Sequence, residues 1–185
     1  MKILIASLLA RKVTAEITAS RSRVIFDLTS GLVKKGHEVS LIGTSDSVIT
    51  GVKTIPIIPK SFMDTSPFEN PFYGETSYMV KMAKKIEEIA DQFDIIHNHS
   101  YPEYFNLFAG ERVKTPMVTT VHAQATEELD MALSLFSNTH LVSISNAHKK
   151  MFVKTSIQTV IYNGIDTVRY ALKKEKKDHL LWLGR

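Results

Sequence analysis

Short apolar segments alternate with segments of helical periodicity along most of the chain. Strands are predicted at 2–9, 37–42, 52–58, 94–97, 117–121, 140–144 and 158–162, and helices at 20–35, 76–92, 103–112, 126–136 and 146–154. This alternation favours a parallel sheet, because consecutive parallel strands are joined by crossover helices that cover the sheet. The sequence therefore predicts an α/β, Rossmann-like parallel sheet with helices on both faces.

The segment 60–75 interrupts this alternation. It contains Pro67, Pro71 and Gly74, which predict a long loop. Loops of that length inside a compact domain are usually functional or mobile. The apolar periodicity resumes at residue 76, where the second helix is expected to begin.

The pattern changes again near the carboxyl end. Residues 173–178 contain no apolar side chain, which is typical of a charged linker. Residues 179–185 then carry an apolar run typical of a buried strand. We expect one domain over 1–172, a linker over 173–178, and over 179–185 the first strand of a missing carboxyl-terminal domain. Self-association through 179–185 is also expected, because a strand with free edges invites pairing.

Composition and charge narrow the function classes. The chain has no cysteine, which excludes disulfides and thiolate catalysis and fits a cytoplasmic location. The apolar start is too short for a signal peptide, and no run reaches the ~18–20 residues of a membrane span. The lysine clusters behind the net charge of +4 are typical of solvated helix faces, with contact to the inner face of an anionic membrane as the alternative. The sequence lacks the arginine-rich stripe that is typical of nucleic-acid binding, so no nucleic-acid partner is predicted.

Four successive predicted strands end on hydrogen-bonding side chains. These are His97 and His99, then His122, then Ser145, then Asn163. In an open parallel sheet, ligands bind outside the carboxyl ends of the strands. Turns also favour polar residues, and the asparagine–glycine pair alone fits an ordinary turn. Four such endings on one edge favour a binding crevice.

Other chemistries fit the sequence less well. His97 and His99 would share a strand face and could bind a metal with His122, but no carboxylate or cysteine has a familiar metal-ligand spacing, so no metal site is predicted. The His-Asn-His letters resemble a nuclease motif, in the wrong structural context. There is no Gly-x-Ser-x-Gly elbow for a serine hydrolase, and no glycine follows the first strand for dinucleotide binding. No cofactor is predicted.

Six segments, in order along essentially the whole chain, resemble the amino-terminal, acceptor-side domain of family-4 glycosyltransferases with the GT-B architecture. They are 32–41 (LVKKGHEVSL), 94–99 (DIIHNH), 119–122 (TTVH), 143–145 (SIS), 160–166 (VIYNGID) with Tyr170, and 181–185 (LWLGR). The run 36–47 is similar to a subgroup that includes pterin glucosyltransferases.

This resemblance implies retaining transfer of a hexose from a nucleotide sugar, with a UDP-sugar as the expected donor, to a hydroxyl of a small-molecule, glycan or lipid acceptor. The resemblance also implies that the transfer requires no metal. His122 matches the family histidine that contacts the transferring sugar, and Arg185 matches the arginine that reaches the donor diphosphate. His97, His99, Ser145 and Asn163 would line the cleft as substrate-binding residues. The 185-residue chain is expected to be inactive alone, because most donor-binding residues of the family would follow Arg185.

The first loop departs from the family pattern. The family usually has a glycine pair there, whereas this chain has the side chains of 14–20, with Glu16 in the middle. Glu16 would lie near the substrate, and Arg21, with Arg23, could bind an anionic group at the start of the next helix. The alternative is a non-catalytic binding or partner module that pairs with a separate subunit.

Overall fold

The computed structural model describes residues 1–137 and 139–169, together with Asp178, Leu180 and Trp182. The predicted linker over 173–178 and the predicted strand over 179–185 lie, except for these single residues, outside the described residues. Arg185 also lies outside them. The second domain and self-association through 179–185 therefore stay predictions.

The described chain forms one parallel sheet. Its strands are β1 (Lys2–Ala6), β2 (Glu38–Thr44), β3 (Lys53–Ile58), β4 (Ile95–Asn98), β5 (Met117–Val121), β6 (His140–Ser143) and β7 (Thr159–Val160). Their spatial order is β3-β2-β1-β4-β5-β6-β7, and every neighbouring pair is parallel. The order reverses between β1 and β4, which is the kind of switch point where ligands bind in open sheets. The predicted fold class is confirmed.

Five α-helices connect the strands of the described chain. They are α1 (Ser20–Lys34), α2 (Pro71–Ile89), α3 (Tyr104–Gly110), α4 (Glu127–Ser134) and α5 (Asn146–Lys149), with short 3-10 turns at Phe62–Asp64, Ala90–Gln92 and Thr167–Arg169. None of the described helices is both long enough and apolar enough to cross a bilayer.

The two faces of the sheet carry separate apolar cores. Because side chains alternate along a strand, Ile3 and Ile5 of β1 point to one face and Leu4 to the other. On the first face they pack with Ile25 of α1, and on the second the cluster includes Met82 of α2. α3 and α4 add to the second core as well. Helices on both faces are thus confirmed, with α1 covering β1 and β2 on the first.

α2 begins at Pro71, five residues earlier than predicted. The Asn70 side chain accepts a hydrogen bond from the Tyr73 N–H at 3.2 Å, and proline is well tolerated in the first helical turn. Gly74 therefore lies inside the helix, where a Cβ would collide with the Phe68 ring. Pro71 and Gly74 instead belong to a capped helix start, whereas Pro67 lies in the loop before it.

α5 is shorter than predicted, ending at Lys149 instead of residue 154. Both carboxylate oxygens of Asp130 on α4 accept backbone N–H groups from Val153, Lys154 and Thr155, each at 2.8 Å. These bonds hold the segment as a loop, since its N–H groups are directed to Asp130 rather than along a helix.

Candidate active site

Three of the predicted site histidines lie together at the carboxyl ends of β4 and β5. His99 Nδ1 and His122 Nε2 share a hydrogen bond of 2.9 Å, and the His97 and His99 ring centroids are 4.0 Å apart. His97 Nε2 hydrogen-bonds to Thr120 Oγ1 at 2.8 Å. The prediction that these histidines meet at one edge of the sheet is confirmed, while their roles stay predictions.

Burial keeps these imidazoles uncharged at neutral pH. It lowers the pKa of His97 to about 4. The pKa of His122 falls to about 3, chiefly through burial and then through the positive charge of Arg21. Burial also lowers the pKa of His99 well below its usual range, helped by its charged and imidazole neighbours. Each neutral ring offers one N–H donor and one acceptor, and His99 Nε2 is buried without a hydrogen-bond partner.

A cavity of about 430 Å³ lies beside His97 and His99. Its other walls come from α1, from β5 and β6, and from the segment 161–166. They comprise Val24, Asp27, Leu28, Val118, Thr120, Val142, Ile161, Tyr162, Asn163, Gly164, Ile165 and Asp166. The described lining contains no lysine or arginine, and much of it is aliphatic. Such a cavity suits an uncharged, partly apolar or hydroxyl-bearing group better than a phosphate.

The other strand-end residues divide between this cavity and structural positions. Asn163 is exposed and lines the cavity. Ser145 instead caps α5, with its Oγ accepting the His148 N–H at 3.0 Å. Glu16 is exposed on the first loop and is not among the residues that line the cavity. His122 also lies outside the lining and reaches the cavity through His99.

Arg21 joins α1 to the loop that follows β4. Its Nη1 donates to the Ser100 carbonyl oxygen at 3.1 Å, and its Nη2 lies 3.5 Å from Glu103 Oε1. The guanidinium also lies over the Tyr101 ring, 5.1 Å from its centroid. In the structure Arg21 pairs with an internal carboxylate, and its predicted contact with an anionic ligand stays a prediction.

Glu103 is a site residue that the sequence analysis missed. It is fully buried, and its Oε1 accepts the backbone N–H of His122 at 3.4 Å. Burial raises the pKa of this carboxyl, although Arg21 opposes the shift. The available signal was a carboxylate just after His99, close to a strand end that already carried candidate residues.

Asn98 was also missed, although it organises the loop beneath the histidines. Its Nδ2 donates to the Glu103 carbonyl oxygen at 3.0 Å and to Thr119 Oγ1 at 3.2 Å. Its Oδ1 accepts from the backbone N–H and hydroxyl of Ser100 and from Asn106 Nδ2. One buried amide therefore ties β4, β5, α3 and the 99–103 loop together.

Within the described chain, no group of three or more histidine, cysteine, aspartate or glutamate side chains is placed to hold a metal ion. His99 and His122 share a hydrogen bond with each other, and His97 is bonded to Thr120.

The sequence model of Glycosyltransferase Family 4 matches residues 22–169, which include all the strands after β1 and all three site histidines. The chain belongs to this family. A comparison with curated proteins gave no significant match. The pterin-glucosyltransferase subgroup stays a prediction.

Solved structures with a similar fold include GT-B glycosyltransferases. The catalytic domain of starch synthase IV from Arabidopsis thaliana, bound to ADP and acarbose, has a TM-score of 0.55 at 16% identity, covering 90% of this chain and 52% of that one. MurG from Acinetobacter baumannii gives 0.53 at 11% identity, covering 86% and 44%. An alpha-glucosyltransferase in complex with UDP and a 13-mer DNA gives 0.51 at 14%, covering 91% and 42%. This family-4 domain thus spans about half, or less, of the length of those chains.

Proposed function

We propose that this family-4 domain is the acceptor-side half of a retaining glycosyltransferase, which transfers a hexose from a nucleotide sugar to an acceptor hydroxyl. The observation that carries the proposal is the group of neutral histidines beside a cavity whose described lining has no lysine or arginine. Both lie at the carboxyl ends of strands next to the switch point of a sheet, where ligands of open α/β folds bind.

The chemistry requires positioned groups rather than a strong acid or base from this half. Negative charge develops on the departing diphosphate, while a hydroxyl approaches the sugar carbon. A neutral imidazole at His122 can donate an N–H to a sugar hydroxyl or accept a proton from one. Its bond to His99 links the protonation of the two rings, since one nitrogen must donate and the other accept.

The cavity wall supports binding of the uncharged parts of the substrates in this half. A diphosphate needs cations or many N–H donors, and the described lining offers neither lysine nor arginine. The sugar or the acceptor fits the cavity better, and the diphosphate would be bound by a second domain. A nucleotide-sugar donor is supported by the alpha-glucosyltransferase solved with UDP and the starch synthase solved with ADP.

The stereochemistry of the product tests this function. A form of the protein that includes a donor-binding domain would be incubated with UDP-, ADP- and GDP-hexoses and a panel of hydroxyl acceptors. Proton NMR then gives the anomeric configuration of the new bond. We expect transfer with retention and the best rate from a UDP-hexose. Inversion, or no transfer from any nucleotide sugar, would contradict the proposal.

A further inference from the structure

We propose that Glu103 is a positioning residue of this site, whose carboxylate holds the backbone of His122 and compensates the charge of Arg21 so that the His99–His122 pair keeps one arrangement. The link to catalysis rests on the proposed function of His122. The positioning itself concerns the folded domain and can be tested without any substrate.

The contacts of Glu103 connect the elements that carry the site. Its Oε1 accepts the His122 N–H at 3.4 Å, directly after β5. The same oxygen lies 3.5 Å from Arg21 Nη2 on α1. The backbone oxygen of Glu103 accepts a hydrogen bond from Asn98 at the end of β4. Glu103 thus connects β4, α1 and the end of β5 around the imidazole pair.

A buried carboxylate at this position carries a large desolvation free energy. Glu103 has no exposed surface, and its Oε2 is buried without a hydrogen-bond partner. Buried ion pairs contribute little net stability, since the desolvation of both charges offsets their attraction. The packing alone would be served equally well by a neutral side chain, so the charge itself points to a role in the site.

The groups around the imidazole pair show what that charge does. Arg21 from α1, His97 from β4 and His148 from α5 act on His122, and Arg21 and His97 act on His99. The full positive charge among them belongs to Arg21, and Glu103 is the carboxylate paired with it. Without Glu103, an uncompensated guanidinium would face both imidazoles and would be free to move away from the Ser100 carbonyl oxygen that it now contacts.

Three variants separate the charge from the shape. Glu103→Gln keeps the size and the oxygen that accepts the His122 N–H, but removes the compensating charge. Arg21→Gln leaves the carboxylate uncompensated, and the double variant removes both charges together. Glu88→Gln is the matched control, because Glu88 is an exposed carboxylate paired with Lys85 on the outside of α2.

The measurement is NMR of the imidazole nitrogens and the His122 amide in the 15N-labelled 185-residue chain, from pH 8 to pH 4.5. We expect His99 and His122 to stay neutral across this range in the native protein. Arg21→Gln should raise the protonation midpoint of His122 by about 1–3 pH units, because the positive charge that disfavours the charged ring is removed. Glu103→Gln should shift the His122 amide and both imidazole signals at pH 7. The double variant should return these signals close to native.

Two results would overturn the proposal. One is Glu103→Gln spectra that differ from native no more than those of Glu88→Gln. The other is a double variant as perturbed as Glu103→Gln, which would make charge compensation irrelevant. If a single variant fails to fold, the double variant decides alone: native-like His99 and His122 signals support the proposal, and displaced signals overturn it. If the NMR results are as expected but no sugar transfer is found, the proposed function is contradicted. The positioning role of Glu103 is then still supported.

Discussion

Burying His99 and half-burying His97 and His122 at one edge of the sheet makes the domain sensitive to acid. In the unfolded chain each histidine binds a proton near pH 6.5, whereas in the folded chain the pKa is about 4 for His97 and about 3 for His122. The stabilising contribution is complete above the unfolded pKa and is lost as pH falls toward the folded pKa. The pKa of Glu103 is raised, so its contribution to stability increases as the pH falls. This single group opposes the effect of three histidines.

We therefore expect the free energy of unfolding to fall between pH 7 and pH 5. The decrease should be about 1–2 kcal/mol for each of the three imidazoles, with the larger value for the fully buried His99. Urea unfolding at both pH values measures it, and His97→Asn should make the decrease smaller. His140→Asn is the control, because His140 is exposed at the amino end of β6. Equal stability of the native domain at pH 7 and pH 5 would show that the imidazoles are not buried as described.

Asn98 should be among the residues most sensitive to substitution. It is fully buried and makes five hydrogen bonds with backbone and side-chain groups. Asn98→Ala would leave several buried partners unsatisfied, and we expect a loss of about 2–4 kcal/mol. Urea unfolding compares it with Asn163→Ala, where an exposed side chain should change stability by less than about 0.5 kcal/mol. Similar losses for the two variants would contradict the central position of Asn98.

The histidines could be predicted from sequence because their position needs only strand ends and alternation. Parallel strands end on the same edge, so residues just after β4 and β5 must meet there. Glu103 and Asn98 could not be found in this way. Whether a polar side chain in a loop or at a strand end is buried depends on partners distant in sequence, such as Arg21 for Glu103 and Thr119 for Asn98.

At the level of elements, local capping and long-range clamps explain where helices begin and end. The strands predicted from the apolar runs are present in the structure, because such runs fit a sheet that is buried on both faces. The start of α2 depends on Asn70, and the end of α5 depends on Asp130 from a different helix. The first signal is local and could have been found. The second requires two segments more than twenty residues apart to meet.

Asp130 gives a direct test at this scale. Asp130→Ala should destabilise the domain by about 2–4 kcal/mol, because three backbone N–H groups lose their acceptor. Hydrogen exchange should show faster exchange at 153–155, and urea unfolding gives the stability. Glu128→Ala on the same helix is the control, since Glu128 is exposed. Unchanged exchange at 153–155 would argue against the clamp.

For the molecule as a whole, the parallel direction of the strands could be predicted from the sequence, but the cavity could not. Strand-helix alternation leads to a parallel sheet, but the cavity is assembled from α1, three neighbouring strands and 161–166, which no local pattern connects. The chain also spans about half, or less, of the similar glycosyltransferases. Under the proposed function, this domain would supply one side of a two-domain cleft.

The isolated 185-residue chain should accordingly bind UDP-hexoses only feebly. We expect a Kd weaker than about 1 mM, because the cavity described here offers no cation to the diphosphate. Isothermal titration calorimetry at neutral pH measures it, with UDP alone as the comparison. A micromolar Kd would mean that a complete diphosphate site already exists in this chain.

The most direct test of the account is the turnover of His122→Ala in a form of the protein that includes a donor-binding domain. Removing one positioned donor from a polar active site typically costs about 10²-fold or more in turnover. We predict a loss of that size for His122→Ala with an unchanged fold, while His140→Ala, at the opposite edge of the sheet, stays near native. If His122→Ala keeps its turnover within about a factor of two of native, the histidine group is structural and the active site lies elsewhere.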